Sequence, residues 1–413
     1  MLENTPETSD WHALSSVYNS AFFCSLGFFV IRFLIPIIAY GTMGASATQV
    51  ALVFSFLTLG SALFSPVAGR VAKRGKRRES ILLGAFVRAS SYIGMAYSII
   101  LANVNFLIIN SLVWGFGAAF YQVGSDAEIS ERVLRKNRAE AFGRREAANG
   151  RGSVVGAFIG FTILFTLESS VTVFLFYAAM NIIGGLIVVR HQPPIEKQTE
   201  IPNGPNRKTA ISLGIAALVI AAGLDTFITA LLSPFVELYI LEAFTSDIIL
   251  VALVYLPGGI IAGILGGLMG RFADHKNKTG IVSTAVVVGA LSTLGLVFIP
   301  AILSSPFDLL AIAILFSIGS ITGLTAYTVM SSVFGTAYEG RASEGFGLFE
   351  SVMGFSRFSA PIVGGLLWDF LDPSAPFILV GLSGFILVPI YVYGMKKYEH
   401  AIKEQGVGNN QPL

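Results

Sequence analysis

Long apolar runs alternate with short polar ones along most of this chain. Runs long enough to cross a bilayer as helices fall at roughly 14–40, 48–70, 79–101, 104–126, 142–166 and 171–190. A polar stretch follows, and six more runs come after it, at roughly 210–236, 247–270, 279–301, 307–332, 343–368 and 374–396. Inside the runs apolar and polar residues do not alternate, which argues against a transmembrane barrel. The pattern predicts an all-α membrane protein with twelve transmembrane segments. The polar stretch from His191 to Lys208 holds four prolines and several charges and has no periodicity. It reads as a linker, and the expected division is an N-terminal six-helix bundle over 1–190, a linker over 191–209 and a C-terminal six-helix bundle over 210–413.

Composition strengthens this reading. The chain has 413 residues, of which 54% are apolar and 13% charged, with a mean hydropathy of +0.72. A soluble domain carries about 25% charge. So much apolar surface cannot be hidden in a water-soluble core, so lipid is the expected solvent. The single cysteine, Cys24, excludes an intrachain disulfide. No Lys or Arg precedes Arg32, which argues against a cleaved secretory signal with its basic n-region.

The placement of charge gives the topology. Six of the ten residues from Gly69 to Arg78 are Lys or Arg, between two spanning runs. The loops after segments 2, 4, 6, 8 and 10, with the two tails, hold every Lys and Arg outside the spans. The other loops carry only acids, among them Glu168, Glu237, Asp308, Asp369 and Asp372. By the positive-inside rule both termini and the linker are expected in the cytoplasm, with the cell membrane as the setting.

The chain also echoes itself. Gly69-Arg70-Val71-Ala72 returns as Gly270-Arg271-Phe272-Ala273, an offset of 201 residues. Phe142-Gly143 and Glu146 return as Phe346-Gly347 and Glu350, an offset of 204. Two parallel six-helix repeats joined by a linker are one known transporter plan.

On these residues the chain resembles the major facilitator superfamily. That family's loop pattern between helices 2 and 3 runs Gly-x-x-x-Asp-Arg-x-Gly-Arg-Arg/Lys. Gly69, Arg74, Gly75, Arg77 and Arg78 fit it, while Lys73 stands at the acid position and the second copy keeps an acid, Asp274. Segment 4 is loosely similar to a drug/proton antiporter pattern through Gly115, Gly117, Ala118 and Ala119, with Ser111 and Trp114 where that branch has Arg and Gln. The resemblance implies two pseudo-symmetric bundles, transport by alternating access, and a cavity lined by helices 1, 4, 7 and 10. It also implies an inner gate. The expected members are Gly69, Arg74, Gly75, Arg77 and Arg78, facing Asp126, Glu128 and Glu131 at the end of segment 4, with Asp274 and Glu350 in the second half.

Ionisable residues inside spans are costly and need a reason. Asp225 is the sharpest, near the middle of segment 7. It is a candidate proton-coupling carboxylate, or else a structural ion-pair partner of Arg357 or Arg32. Arg32 on segment 1 either binds an anionic group or snorkels to the outer headgroups. Arg151 and Arg357, on segments 5 and 11, either bind substrate anions or pair with neighbours such as Glu146 and Glu350. Arg88 on segment 3 reads as structural or snorkelling. Trp114 and Tyr121 are the strongest candidates for an aromatic cavity lining.

The four histidines fall in tails or loops, and no nucleotide-binding loop, nucleophile–base pair or metal cluster is visible. No enzyme activity, metal or cofactor is expected. The basic loops read as topology signals and anionic-lipid contacts rather than nucleic-acid sites. The expected function is secondary transport of a small organic solute, drug-like, amphipathic or anionic, by proton-coupled export from a monomer. A uniporter or importer of a metabolite, or a transporter-like sensor, is the alternative.

Overall fold

The computed structural model describes residues 11–73, 76–133, 138–190, 213–255, 257–258, 261, 277–337 and 342–404. Everything described is helix or short connection. The linker over 191–209 lies outside the described residues.

Segment 1 is not one continuous helix. It runs as α1 (Trp11–Ser25), breaks at Leu26 and Gly27, resumes as α2 (Phe28–Ile37) and ends in a π-helical turn at Ile38–Thr42. Glycine suits the break because the Tyr177 ring fills the place where a side-chain carbon would stand on Gly27. Pro36 lies inside α2 and has no amide to continue the ladder, and the wider π turn follows it. Then come α3 (Ala47–Lys73), α4 (Arg77–Ile100), α5 (Val104–Arg132), α6 (Arg138–Leu167) and α7 (Ser170–Arg190). Asn103 caps α5 by accepting from the Phe106 amide at 3.0 Å.

Segment 7 is broken as well. α8 (Leu213–Leu232) and α9 (Val236–Ala243) meet at an angle of 41° across Ser233, Pro234 and Phe235. Segment 8 is helical over 248–255 and at 257–258 and 261. α10 (Lys278–Ile302), α11 (Phe307–Ala337), α12 (Ala342–Phe370) and α13 (Ala375–Glu404) complete the chain. Among the described residues eight helical spans are long and apolar enough to cross a membrane, nine counting the bent pair.

The helices form two compact units, one of residues 1–45 and 52–200, the other of 46–51 and 201–413. In the first, α4 packs on α5 and α7, and α1 packs on α6 and α7. In the second, α10 packs on α11 and α13, and α8 packs on α12 and α13. Numbered as segments, the pairs 3·4, 3·6, 1·5 and 1·6 recur as 9·10, 9·12, 7·11 and 7·12. The duplication read from two short echoes is therefore a duplication of helix pairing.

Lipid tails are as apolar as leucine, so close van der Waals contact and hydrogen bonds drive this packing. The Gly152, Gly156 and Gly160 stripe of α6 carries it in the first unit. Side-chain carbons at Gly152 and Gly156 would collide with the carbonyls of Phe22 and Leu26 on segment 1. The Tyr177 hydroxyl donates to the Gly156 carbonyl at 2.7 Å. Large apolar side chains such as Ile93, Phe158, Leu186, Ile220 and Phe298 point outward, as lipid-facing positions do. In the second unit Asp369, at the end of α12, accepts from the Ala47 amide at 3.0 Å and from the Thr48 amide and hydroxyl at 2.9 and 2.6 Å.

Candidate functional site

At the end of the first unit that carries the basic loop, α4 opens with Arg77 and Arg78, both buried. Arg78 Nε donates to Glu128 at 2.7 Å, and Arg132 Nε donates to the same oxygen at 2.6 Å. A second Arg78 donor reaches the Val188 carbonyl, in the last turn of α7, at 3.0 Å. That carbonyl belongs to the negative end of a helix, where a cation is favoured. Exposed pairs with the basic loop were expected here. The structure instead buries the cluster, with 7% of the Arg78 side chain and 2% of the Glu128 side chain exposed.

Asp126 takes a different partner from the one expected. It pairs with Arg145 on α6 rather than with the basic loop. Arg145 also donates to Glu146 at 2.9 Å. Glu146 accepts from Asn149 at 3.3 Å, and Asn149 accepts from the Ser25 hydroxyl at 2.8 Å, beside the break in segment 1. A continuous polar chain thus joins Asp126 to the broken helix.

The middle of the first unit holds a second cluster. Arg88 is 6% exposed, so it is neither snorkelling nor at a surface. Its Nη2 donates to the Cys24 carbonyl at 2.8 Å. Its guanidinium lies over the Trp114 ring at 5.0 Å and the Tyr121 ring at 5.4 Å. Both rings are buried, and the Tyr121 hydroxyl lies 3.1 Å from that of Ser20. Trp114 and Tyr121, expected to line a cavity, come together around a residue expected to be structural.

In the second unit Asp225 lies on α8, and the Tyr391 phenol of α13 faces its carboxylate. Asp225 forms no ion pair among the described residues. The helix is held around it by the Ser356 hydroxyl donating to the Gly223 carbonyl at 2.9 Å and the Thr229 hydroxyl donating to the Asp225 carbonyl at 2.8 Å. The surrounding core is rich in methionine and tyrosine, with Met330, Met353, Met395 and Tyr398 buried.

The remaining candidates are scattered. Arg32 is exposed on α2. Arg151 is exposed on α6 and donates to the Ala147 carbonyl at 3.1 Å, so it pairs with its own helix rather than with Glu146. Arg357 is half-buried on α12. Gly69 sits inside α3 with open space around it. Arg74, Gly75, Asp274 and the side chain of Glu350 lie outside the described residues. Among the described residues no group of three or more His, Cys, Asp and Glu side chains could hold a metal.

Two features escaped sequence reasoning. Arg145, in a basic run, looked like a topology signal, and only burial marks it out. Glu237 looked like an outer-loop acid, yet it is fully buried in the first turn of α9. The Pro234 break, which turns this stretch back into helix, was the available signal.

The comparisons with known proteins bear on the family and the fold. The family model described as Major Facilitator Superfamily matches residues 17–344. The chain is 26% identical over 342 residues to Multidrug resistance protein 1 of Bacillus subtilis, covering 80% of this chain and 83% of the relative. It is 24% identical over 405 residues to the multi-drug resistance efflux pump PmrA homolog of Lactococcus lactis, covering 94% and 95%. Among solved structures, a bacterial homolog to the human lysosomal transporter Spinster, in an inward-facing and occupied conformation, matches with a TM-score of 0.67 and 16% identity, covering 96% of this chain and 94% of that one. At that identity the match concerns the fold.

Proposed function

The chain belongs to the Major Facilitator Superfamily, and on that premise we propose that it exports a small organic solute across the cell membrane by alternating access, coupled to protons. The relative named as a multi-drug resistance efflux pump supports the direction, and both multidrug resistance relatives support the broad solute class. Residues 1–190 and 210–413 act as the two moving bundles, both termini lie in the cytoplasm, and the monomer is the working unit.

The observation that carries the proton reading is Asp225. It is an ionisable side chain in an otherwise apolar helix, twelve residues from its start, or about 18 Å at 1.5 Å per residue. Among the described residues no cation pairs with it, and its polar neighbour is a phenol. A carboxylate so placed can take up a proton when water leaves and release it when water returns. In this reading Arg32, Arg151 and Arg357 are solute-side or coupling charges. Gly69, Arg74, Gly75, Arg77, Arg78, Asp126, Asp274 and Glu350 belong to the inner gate.

The test is proton movement in proteoliposomes with an internal pH dye and a panel of cationic, anionic and neutral compounds. Wild type should move protons with a transported compound. Asp225→Asn should retain counterflow of that compound and lose the proton signal. If the compound crosses with no proton signal in either protein, coupling by Asp225 is wrong and the chain is a facilitator or uses another ion.

A further inference from the structure

The first unit contains a buried positive charge that the transport reading above leaves unused. Arg88 lies eleven residues into α4, about 16 Å along it, well away from either headgroup layer. It makes no ion pair among the described residues. The titratable side chains facing it are Cys24, Tyr92 and Tyr121. None of the three is a carboxylate. A buried charge left uncompensated costs several kcal/mol, and inside a membrane such a residue is retained for function by default.

What surrounds the charge is a set of donors. Arg88 Nε and Trp114 Nε1 are both buried without an acceptor among the described residues, and the Tyr92 phenol stands beside the guanidinium. The break in segment 1 adds to them. In an unbroken helix the Cys24 carbonyl would accept from the amide four residues on; here Arg88 takes it. Beyond the break, α2 starts at Phe28 with Gly27 as its cap residue and no side chain capping it. That start is the positive end of a helix dipole. Broken helices whose ends face a solute are a recurrent device of secondary transporters.

Two orphaned donors, a fixed cation and a helix start call for an oxyanion. A planar guanidinium fits carboxylate, sulfonate and phosphate groups with two parallel hydrogen bonds. The Trp114 and Tyr121 rings beside it offer an apolar wall to the rest of the molecule. Resting on the transport reading, we propose that Arg88, with Trp114 Nε1, is the anion-recognition point of the first unit, and that the solute is an amphipathic organic anion bearing a carboxylate, sulfonate or phosphate. The cation–π stack holds the guanidinium in place when no anion is bound, which is why the side chain stays ordered without a counter-charge.

The test uses the full chain in zwitterionic nanodiscs and three probes of one shape: naphthalene-2-sulfonate, 2-naphthol and (2-naphthyl)trimethylammonium. Binding is measured by equilibrium dialysis against empty discs. A charged hydrogen bond predicts that wild type binds the sulfonate at least about 10-fold tighter than the naphthol. Arg88→Gln should abolish that preference, and Arg88→Lys should keep part of it. Equal binding of sulfonate and naphthol by wild type, or a preference that survives Arg88→Gln, overturns the proposal.

Should Arg88→Gln fail to fold, Trp114→Phe keeps the ring and removes only the N–H. It should weaken sulfonate binding about threefold by loss of one hydrogen bond, and an unchanged sulfonate affinity overturns the proposal. Discs containing phosphatidylglycerol separate a lipid headgroup from a solute. If added anionic lipid competes away the sulfonate in wild type, the occupant is a headgroup and the proposal falls. Counterflow of the same probes in proteoliposomes keeps the two readings apart. Movement of none of them sinks transport and leaves the binding preference standing. Equal movement of all three sinks the anion proposal and leaves transport standing.

Discussion

The first unit pairs α4 with α5 through backbone, and the second pairs α10 with α11 through side chains. On α4 and α5, carbons added at Gly84 or Gly117 would meet the facing helix's main chain. On α10 and α11, Gly289 faces the Thr322 side chain, Gly295 faces Leu315, and Gly319 and Gly323 meet nothing among the described residues. The buried charges differ too. Among the described residues the first unit buries Arg77, Arg78, Arg88 and Arg145 with Glu128, and the second buries Glu237 and Asp308. One helix-pairing plan thus carries a tight, cationic half and a looser, acidic one. Pairing is set by where apolar stripes and small residues fall, while the charge each half buries is free to diverge.

The largest expected effect breaks the cationic half. Glu128 is the carboxylate shared by Arg78 and Arg132, so Glu128→Gln takes from two buried guanidiniums the counter-charge they share. Removing one partner of a buried pair costs about 3–5 kcal/mol. Thermal unfolding in detergent should show a large loss, and Arg78→Met made in a Glu128→Met background should recover much of it. A Glu128→Gln protein as stable as wild type would mean that the cluster is solvated.

The glycine contrast gives the next effect. A methyl on Gly117 would stand 2.8 Å from the Gly84 carbonyl oxygen and the Arg88 amide, neither of which can turn aside. Gly117→Ala should therefore cost about 1–3 kcal/mol through overpacking. Gly323→Ala meets nothing and should be neutral or stabilise by up to about 1 kcal/mol through helix propensity. Equal losses at both positions would show that the two helix pairs are packed alike.

The limits of the sequence are visible in these same residues. The helical segments and the duplication were legible, because a bilayer imposes length on apolar runs and a repeated plan leaves repeated motifs. Asp225 was legible because a lone carboxylate in an apolar run stands out. The phenol that faces it was not, since partners come from helix rotation and tilt. Glu128 and Arg132 are four residues apart and so share a helix face, but the third member, Arg78, comes from a different helix 50 residues away. The setting of Arg88 was hidden for a related reason, because the break at Leu26 and Gly27 brings the Cys24 carbonyl to it.

The smallest effect sharpens the comparison at one pair of equivalent turns. Between α6 and α7 the first unit uses a neutral hydroxyl, Ser169, which accepts from the Thr172 amide at 3.3 Å. Between α12 and α13 the second unit uses a carboxylate, Asp372, which accepts from the Ser374 amide at 2.8 Å and from its hydroxyl at 2.5 Å. Those two bonds stabilise the charged form and hold the Asp372 carboxyl below its ordinary value. A carboxyl lowered in the folded state contributes stability that is complete above its unfolded value, about 3.9, and is lost as pH falls through the folded one. Asp372 is almost fully exposed to water, so solvent screening keeps the effect small. The readout is therefore local. In an acid titration followed by NMR, the Ser374 amide should shift with an inflection below the ordinary aspartate range, and the Thr172 amide should show none. Replacing Ser374 with Ala removes the hydroxyl donor and keeps the amide, so the inflection should move up towards the ordinary value without disappearing. An inflection at Thr172 as well, or one at Ser374 that ignores the substitution, would mean that the two turns are not distinguished by the group that caps them.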